Sequence, residues 1–427
     1  MKQVFSFLLS VALLTTVFFA EAAVACKRSD AAPVIYVASN KADGNTLVRF
    51  CQAEKGGYEK TGEYATGGLG TGDLEIPALK KDATHPLANG DDPLISAYGV
   101  LPTGDRRHVL VVNAGDASVS LLRVNRDYSL TLVNKVKSGD RFPVSIATSG
   151  RQVVVASVGK DNNHGSISAY VIDDDGWLAA VPGSYRDLAA RPSTVMFSRD
   201  GKHVIVNELV TGKIKVFAMD GNTLSKGPVS MVDSPRSDDR FQAIPVGFAV
   251  GQGASGGFVL MSEARFLTPD FKLREAQGVV PQSPKYSWQT GSVSSYRLGS
   301  DGRISLLSAD VLTGESIEGG EIANCWVVLS SDQKTLWAAN ALSSSISTFD
   351  VDEKGAVQLR NATAYKEDSE LLFFSDNAIS DDGQRYFQLV GNKGQVLVFD
   401  IRKNGDLNKR ETLDGLPALG SYGLVVL

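Results

Sequence analysis

Short apolar runs separated by Ser, Asp and Gly turns recur along most of the chain, and they share one layout. The stretches VSIATSGRQVVVASV (144–158), TVMFSRDGKHVIVNEL (194–209), VVLSSDQKTLWAANA (327–341) and AISDDGQRYFQLVGN (378–392) each hold an apolar strand, a polar turn and a second apolar strand. A third strand follows each time, as SISAYVID, KIKVFAMD, SISTFDVD and QVLVFDIR, and a Gly- or Asn-containing turn then leads to a weaker fourth. LPTGDRRHVLVVNAG with SVSLLRVN is another copy, and GFAVGQGASGGFVLMSEA with SVSSYRLGSDGRISLL is one more. Apolar runs of strand length between turn residues, without helical spacing, predict four-stranded antiparallel sheets. A unit that recurs every ~50 residues and cannot bury both its faces alone predicts blades stacked around an axis. A stacked β-helix would use a shorter repeat. The expectation is an all-β, seven-bladed β-propeller.

The seventh copy is split between the two ends. VIYVASN (34–40) and TLVRFC (46–51) match a second and a third strand with no first strand before them. GSYGLVVL (420–427) reads as a first strand with no blade after it. Joining these ends closes the ring and removes its free edges. Residues 26–427 are thus predicted to form one domain, closed by the C-terminal strand joining the first blade.

Composition agrees with a large core: the 427 residues are 43% hydrophobic and 21% charged. A formal net charge of -5 and the lack of a long Lys/Arg run argue against a nucleic-acid partner. Lys2, the apolar stretch Val4 to Ala20 and the small residues ending at Ala25 have the layout of a cleaved signal over residues 1–25. The mature chain is therefore expected to be secreted, or periplasmic in a Gram-negative bacterium. Cys26 directly after Ala25 suggests a lipoprotein box, but Ala23 fits one poorly. No later segment is long and apolar enough to cross a membrane. Three cysteines are too few to hold such a fold together. Cys26 and Cys51 can pair, which leaves Cys325 as a buried thiol. Asn361-Ala362-Thr363 is a sequon, relevant only in a eukaryotic secretory pathway.

In a propeller the loops after second strands and after fourth strands share one face. The second strands end at Asn40, Asn113, Ser157, Glu208, Glu263, Asn340 and Gly391, which predicts a rim of polar groups around the channel mouth. Two long departures from the repeat, residues 66–99 and 265–290, open on the same face, where loops usually carry function. Glu208 and Glu263 are candidate acid/base groups, with Arg265 beside them to stabilise negative charge. His164, in DNNHGS, is the imidazole placed on that face. His108 and His203 share one template slot at the start of a second strand, and His85 is a loop residue before Pro86. Asn40, Asn113, Ser157 and Asn340 are candidate substrate-orienting groups. The same polar residues also suit turns and solvated rims. No HxxxH, paired-cysteine or EF-hand spacing occurs, so neither metal nor cofactor is predicted. Gly67-Gly68-Leu69-Gly70 is followed by no helix and does not make a phosphate loop.

The stretches FSRDGKHVIVNEL, IPVGFAV, FVLMSEAR, SVSSYRL, NCWVVLSSDQKTLWAAN and SISTFDV resemble the lactonase-type seven-bladed propellers, a group that includes 6-phosphogluconolactonase and carboxymuconate cyclase-like enzymes. They look most like its secreted, poorly characterised branch. The resemblance covers nearly all of the mature chain, and it implies site roles for Glu208 and Arg265. It also implies a histidine leading into blade three, where Val144 or Ser145 stands, and an Arg-His pair opening blade four, where Ser193 and Thr194 stand.

Three functions are compatible with this reading. The first is metal-independent hydrolysis, or formation, of a small lactone or related organic acid. Glu208 would be the base, Arg265 the oxyanion partner, and Glu263 or His164 the second acid/base. The second is a non-catalytic extracellular propeller that binds a ligand or protein. The third is a calcium-dependent hydrolase with Glu208, Glu263, Asn113 and Asn340 as oxygen ligands.

Overall fold

The computed structural model describes residues 26, 32–53, 56–73, 92–161, 163–253, 256–268, 272, 274 and 287–427. The signal segment 1–25, His85 and most of the two long insertions lie outside the described residues. Seven antiparallel sheets form the seven blades, and no helix occurs among the described residues. Nor is any helix there long and apolar enough to cross a membrane.

The first strands are Val100–Pro102 in blade two, Pro143–Ser149 in three, Pro192–Phe197 in four, Gln242–Gly253 in five, Asn324–Leu329 in six and Phe374–Ile379 in seven. Together with the C-terminal strand Tyr422–Val426 they touch in sequence around a closed ring. The C-terminal strand is the first strand of blade one, paired antiparallel to Ile35–Ala38 with Tyr36 opposite Val425. Backbone bonds between Val34 and Leu427, at 2.9 and 2.8 Å, lock its end. Gly423 has a φ of 63°, and a Cβ there would lie 2.8 Å from the Val100 nitrogen, so the closing strand needs glycine at this point.

The core lies between blades. Apolar side chains of second strands, such as Val109 and Val153, and of third strands, such as Leu122 and Tyr170, are buried between neighbouring sheets. A disulfide joins Cys26 to Cys51, with a Cα separation of 5.7 Å, and Cys325 is a free buried thiol. Burial pushes that thiol well above its ordinary range.

Candidate functional site

The polar strand ends do not form an open rim. Asn113 is fully buried, and its Nδ2 donates to Ser118 Oγ at 3.1 Å and Ser120 Oγ at 2.8 Å. Asn340 repeats the arrangement with Ser345 and Ser347 at the same spacings, 3.1 and 2.8 Å. Asn40 is tied to Thr71 and Gly72, and Ser157 is 1% exposed. In blades two and six the last residue of the second strand therefore pins the third strand of its own blade, whereas Asn40 bonds a loop and Ser157 Oγ has no partner among the described residues. These side chains were expected to orient a substrate; they are instead sealed inside their sheets by the following loops. Gly68 shows how tightly, because a Cβ there would lie 2.3 Å from the Asn113 side chain.

Glu208 is a charged version of the same device. Its carboxylate is buried, accepts from Thr211 Oγ1 at 2.6 Å and pairs with Lys215, which stands in the slot of Ser120 and Ser347. The expected solvated rim carboxylate is thus a buried ion pair. Glu208→Gln should lower stability by about 1–3 kcal/mol, because Lys215 would lose its counter-charge. Urea unfolding measures this, and an unchanged midpoint would show that the pair is idle.

Glu263 and Arg265 belong to a second, separate cluster. Arg265 Nη2 lies 2.6 Å from Glu263 Oε2 and 2.9 Å from Asp310 Oδ1, and its Nη1 donates to the Phe241 carbonyl at 2.9 Å. Ser292 Oγ donates to Glu263 Oε2 at 2.8 Å, and Arg240 makes two bonds of 2.8 Å to Asp310. Burial alone would raise the Asp310 carboxyl, but the Arg240 hydrogen bond and the two guanidinium charges hold it below the ordinary range. Glu208 and Arg265, expected within reach of one ligand, share no partner among the described residues. Of the oxygens considered for calcium, Asn113 Oδ1 accepts from Asn45 Nδ2 at 3.0 Å and Thr66 Oγ1 at 2.8 Å in blade one, Glu208 pairs with Lys215 in blade four, and Asn340 Oδ1 and Glu263 Oε1 have no hydrogen-bond partner among the described residues.

The axis is filled. Asp92 to Ala97, the end of the first long insertion, are buried in the channel, with Tyr98 half-buried below them. Arg191 Nη2 donates to the Leu94 carbonyl at 2.6 Å and Ser193 Oγ to the Ile95 carbonyl at 2.8 Å. Ser96 Oγ donates to the Val144 carbonyl at 2.8 Å, and the Ser96 carbonyl accepts from Trp326 Nε1 at 3.0 Å. The Ala97 nitrogen donates to Thr194 Oγ1 at 3.2 Å, and Tyr98 Oη donates to the Phe248 carbonyl at 3.0 Å. Ile95 and Tyr98 have φ values of 50° and 63°. For such bulky residues this costs about 1–3 kcal/mol each, so the surrounding contacts must hold the conformation. Sequence reasoning treated this segment as a surface loop; its signal was the apolar run Pro93-Leu94-Ile95 inside a polar insertion. Val144, Ser193 and Thr194, three of the positions where the family resemblance implies histidine and arginine, all bond to this plug. Beside it, burial pushes the Asp376 carboxyl up to about 6, against hydrogen bonds from the Gly423 and Tyr98 backbone.

Of the acid/base candidates, His164 alone is accessible. Its Nδ1 lies 2.5 Å from Asp161 Oδ1, and both side chains are nearly half exposed. His164 opens on a cleft of about 400 Å³ formed by the loops of blade three and the segment leading into it, lined also by Asp140, Arg141, Lys160 and Tyr185. The turn that carries the histidine is set by Asp161, whose carboxylate accepts from the Asn163 nitrogen at 2.9 Å. The His164 hydrogen bond, followed by that backbone bond, holds the Asp161 carboxyl below the ordinary range. Ser166 Oγ donates to Asp140 Oδ2 at 3.1 Å, and Tyr185 Oη lies 3.4 Å from the same oxygen. Glu208, in blade four, is linked to the edge of the cleft only through intermediates. Lys215, which it pairs with, donates to the Leu188 carbonyl at 2.6 Å, and the Leu188 nitrogen donates to the Gly165 carbonyl at 2.8 Å.

Residues 96–240 match the family described as Lactonase, 7-bladed beta-propeller. The fold is similar to that of a periplasmic gluconolactonase of Pseudomonas aeruginosa, with 16% identity and a TM-score of 0.61, over 93% of this chain and 99% of that one. It is also similar to a putative 6-phosphogluconolactonase of Bacteroides uniformis, with 17% identity and a TM-score of 0.60, over 93% and 99% of the two chains. No curated protein matches the sequence.

Proposed function

We propose that this lactonase-like propeller is a secreted hydrolase of a small unphosphorylated lactone, with His164 as its general base. The observation that carries this reading is His164, bonded to Asp161, at an open cleft that also holds two cations, Arg141 and Lys160. The likeness of residues 96–240 to lactonase propellers supports the substrate class.

The chemistry follows from the groups present. Asp161 accepts the Nδ1 proton and so leaves the Nε2 lone pair free for a proton from water. The resulting hydroxide adds to the lactone carbonyl, and Arg141 and Lys160 stabilise the tetrahedral oxyanion. Collapse breaks the ring C–O bond, and the imidazolium returns its proton to the leaving alkoxide, which releases a hydroxy acid. Exposure of the pair gives water direct access.

Purified protein should open unphosphorylated lactones, read as acid release at constant pH. His164→Asn should lower kcat by roughly 10²- to 10⁴-fold with little change in melting temperature. Full activity in that variant would remove His164 from the mechanism.

The filled axis favours a second reading, a propeller that binds a ligand or protein and catalyses nothing. Absence of turnover by the wild-type protein on every lactone tried would select it.

A further inference from the structure

The plug closes the axis on one side only. On the face opposite the long insertions, where turns join first to second strands, a funnel of about 390 Å³ opens to solvent. Tyr98 lines its inner end, and its walls are first-strand residues of five blades, including Leu101, Met196 and Leu329. The Tyr98 backbone carbonyl accepts from the Ile146 nitrogen in blade three at 2.9 Å, while its hydroxyl reaches the Phe248 carbonyl in blade five at 3.0 Å. The residue thus spans the axis from one blade to another, and its left-handed φ of 63° holds it there. The result is a blind apolar recess in which Leu101, Met196 and Leu329 stay only half-buried.

One cation stands at its mouth. Arg199, exposed in the turn after Phe197, uses Nε to donate to the Val250 carbonyl at 3.0 Å and has no carboxylate partner among the described residues. The axial carboxylate Asp376 does not line the funnel.

We infer that this funnel binds a small apolar carboxylate, with the hydrocarbon tail against Tyr98 and the carboxylate at Arg199. Its volume lies within the roughly 300–1,000 Å³ of ordinary ligand sites, and a few polar groups around an apolar recess are their usual composition. An arginine with free Nη donors suits a carboxylate in a charge-assisted bond. The site is on the opposite face from His164, and its test reads binding, so its failure is distinguishable from failure of the lactonase reading.

Calorimetric titration of the whole protein with sodium hexanoate, sodium butyrate and 1-hexanol tests the assignment. Hexanoate should bind with a Kd of about 1 mM or tighter. Butyrate should bind roughly tenfold more weakly, because it buries two fewer methylenes. Arg199→Gln, a surface change, should weaken hexanoate about tenfold and leave hexanol unaffected. Leu329→Trp, which fills the recess, should abolish binding of all three. No hexanoate binding would overturn the site. Unchanged hexanoate affinity in Arg199→Gln would overturn the carboxylate assignment, and retained binding in folded Leu329→Trp would place the ligand elsewhere.

Discussion

Removal of Tyr422–Leu427 is expected to abolish cooperative folding. The deleted strand is the axial strand of blade one, and its loss leaves Ile35–Ala38 without a partner on the axial side. Tyr422, Leu424, Val425 and Leu427 are all nearly fully buried. At about 1.5–3 kcal/mol for each large apolar side chain, they contribute roughly 6–12 kcal/mol. That is comparable with the whole net stability of a typical domain, about 5–15 kcal/mol. Tyr422 also carries buried bonds to the Val112 carbonyl and, at 3.2 Å, to Asn45 Nδ2, so blade two loses contacts as well. The bared edge would favour aggregation. Calorimetry of the shortened chain decides the point, and a melting transition like that of the full protein would refute closure as the source of stability.

The next largest effect is expected from Arg265→Met. Arg265 is 1% exposed and meets the carboxylates of Glu263 and Asp310. Asp310 keeps Arg240 as a partner, but Glu263, itself fully buried, would be left charged and unpaired. Breaking a buried ion pair on one side costs about 3–5 kcal/mol. Adding Glu263→Leu to Arg265→Met should recover much of the loss, because it removes the uncompensated charge as well. Guanidinium unfolding of both variants checks this. Arg265→Met with wild-type stability would mean that the arginine is not structural.

The family resemblance implied a site role for Arg265, and the sequence reading made Glu208 the candidate base. The polar character of these strand ends was legible because a buried strand that finishes on Asn or Glu is visible in one dimension. What they bond to was not read, although Ser120, Lys215 and Ser347 occupy one position of the repeat. A carboxylate at a strand end reads the same whether it faces solvent or a lysine, and the loops that close over it decide which.

His164 was visible as an imidazole on the functional face, and Asp161, three residues earlier, is a local partner. Its accessibility was not visible, because the cleft is walled by Asp140 and Tyr185 from other loops.

The sequence by itself determined the strands, the blade repeat and the closing pair at the two ends, because turn residues and apolar runs act over a few neighbouring positions. Only the tertiary structure decided what fills the axis. Ser96 meets Val144 and Trp326 at separations of 48 and 230 residues. No local pattern encodes such contacts, since they exist only once seven sheets have closed a ring around the segment. The same closure sealed Glu208 and Arg265 into ion pairs and left the His164 cleft and the Tyr98 funnel open, because burial is a property of the assembled blades and not of any one strand.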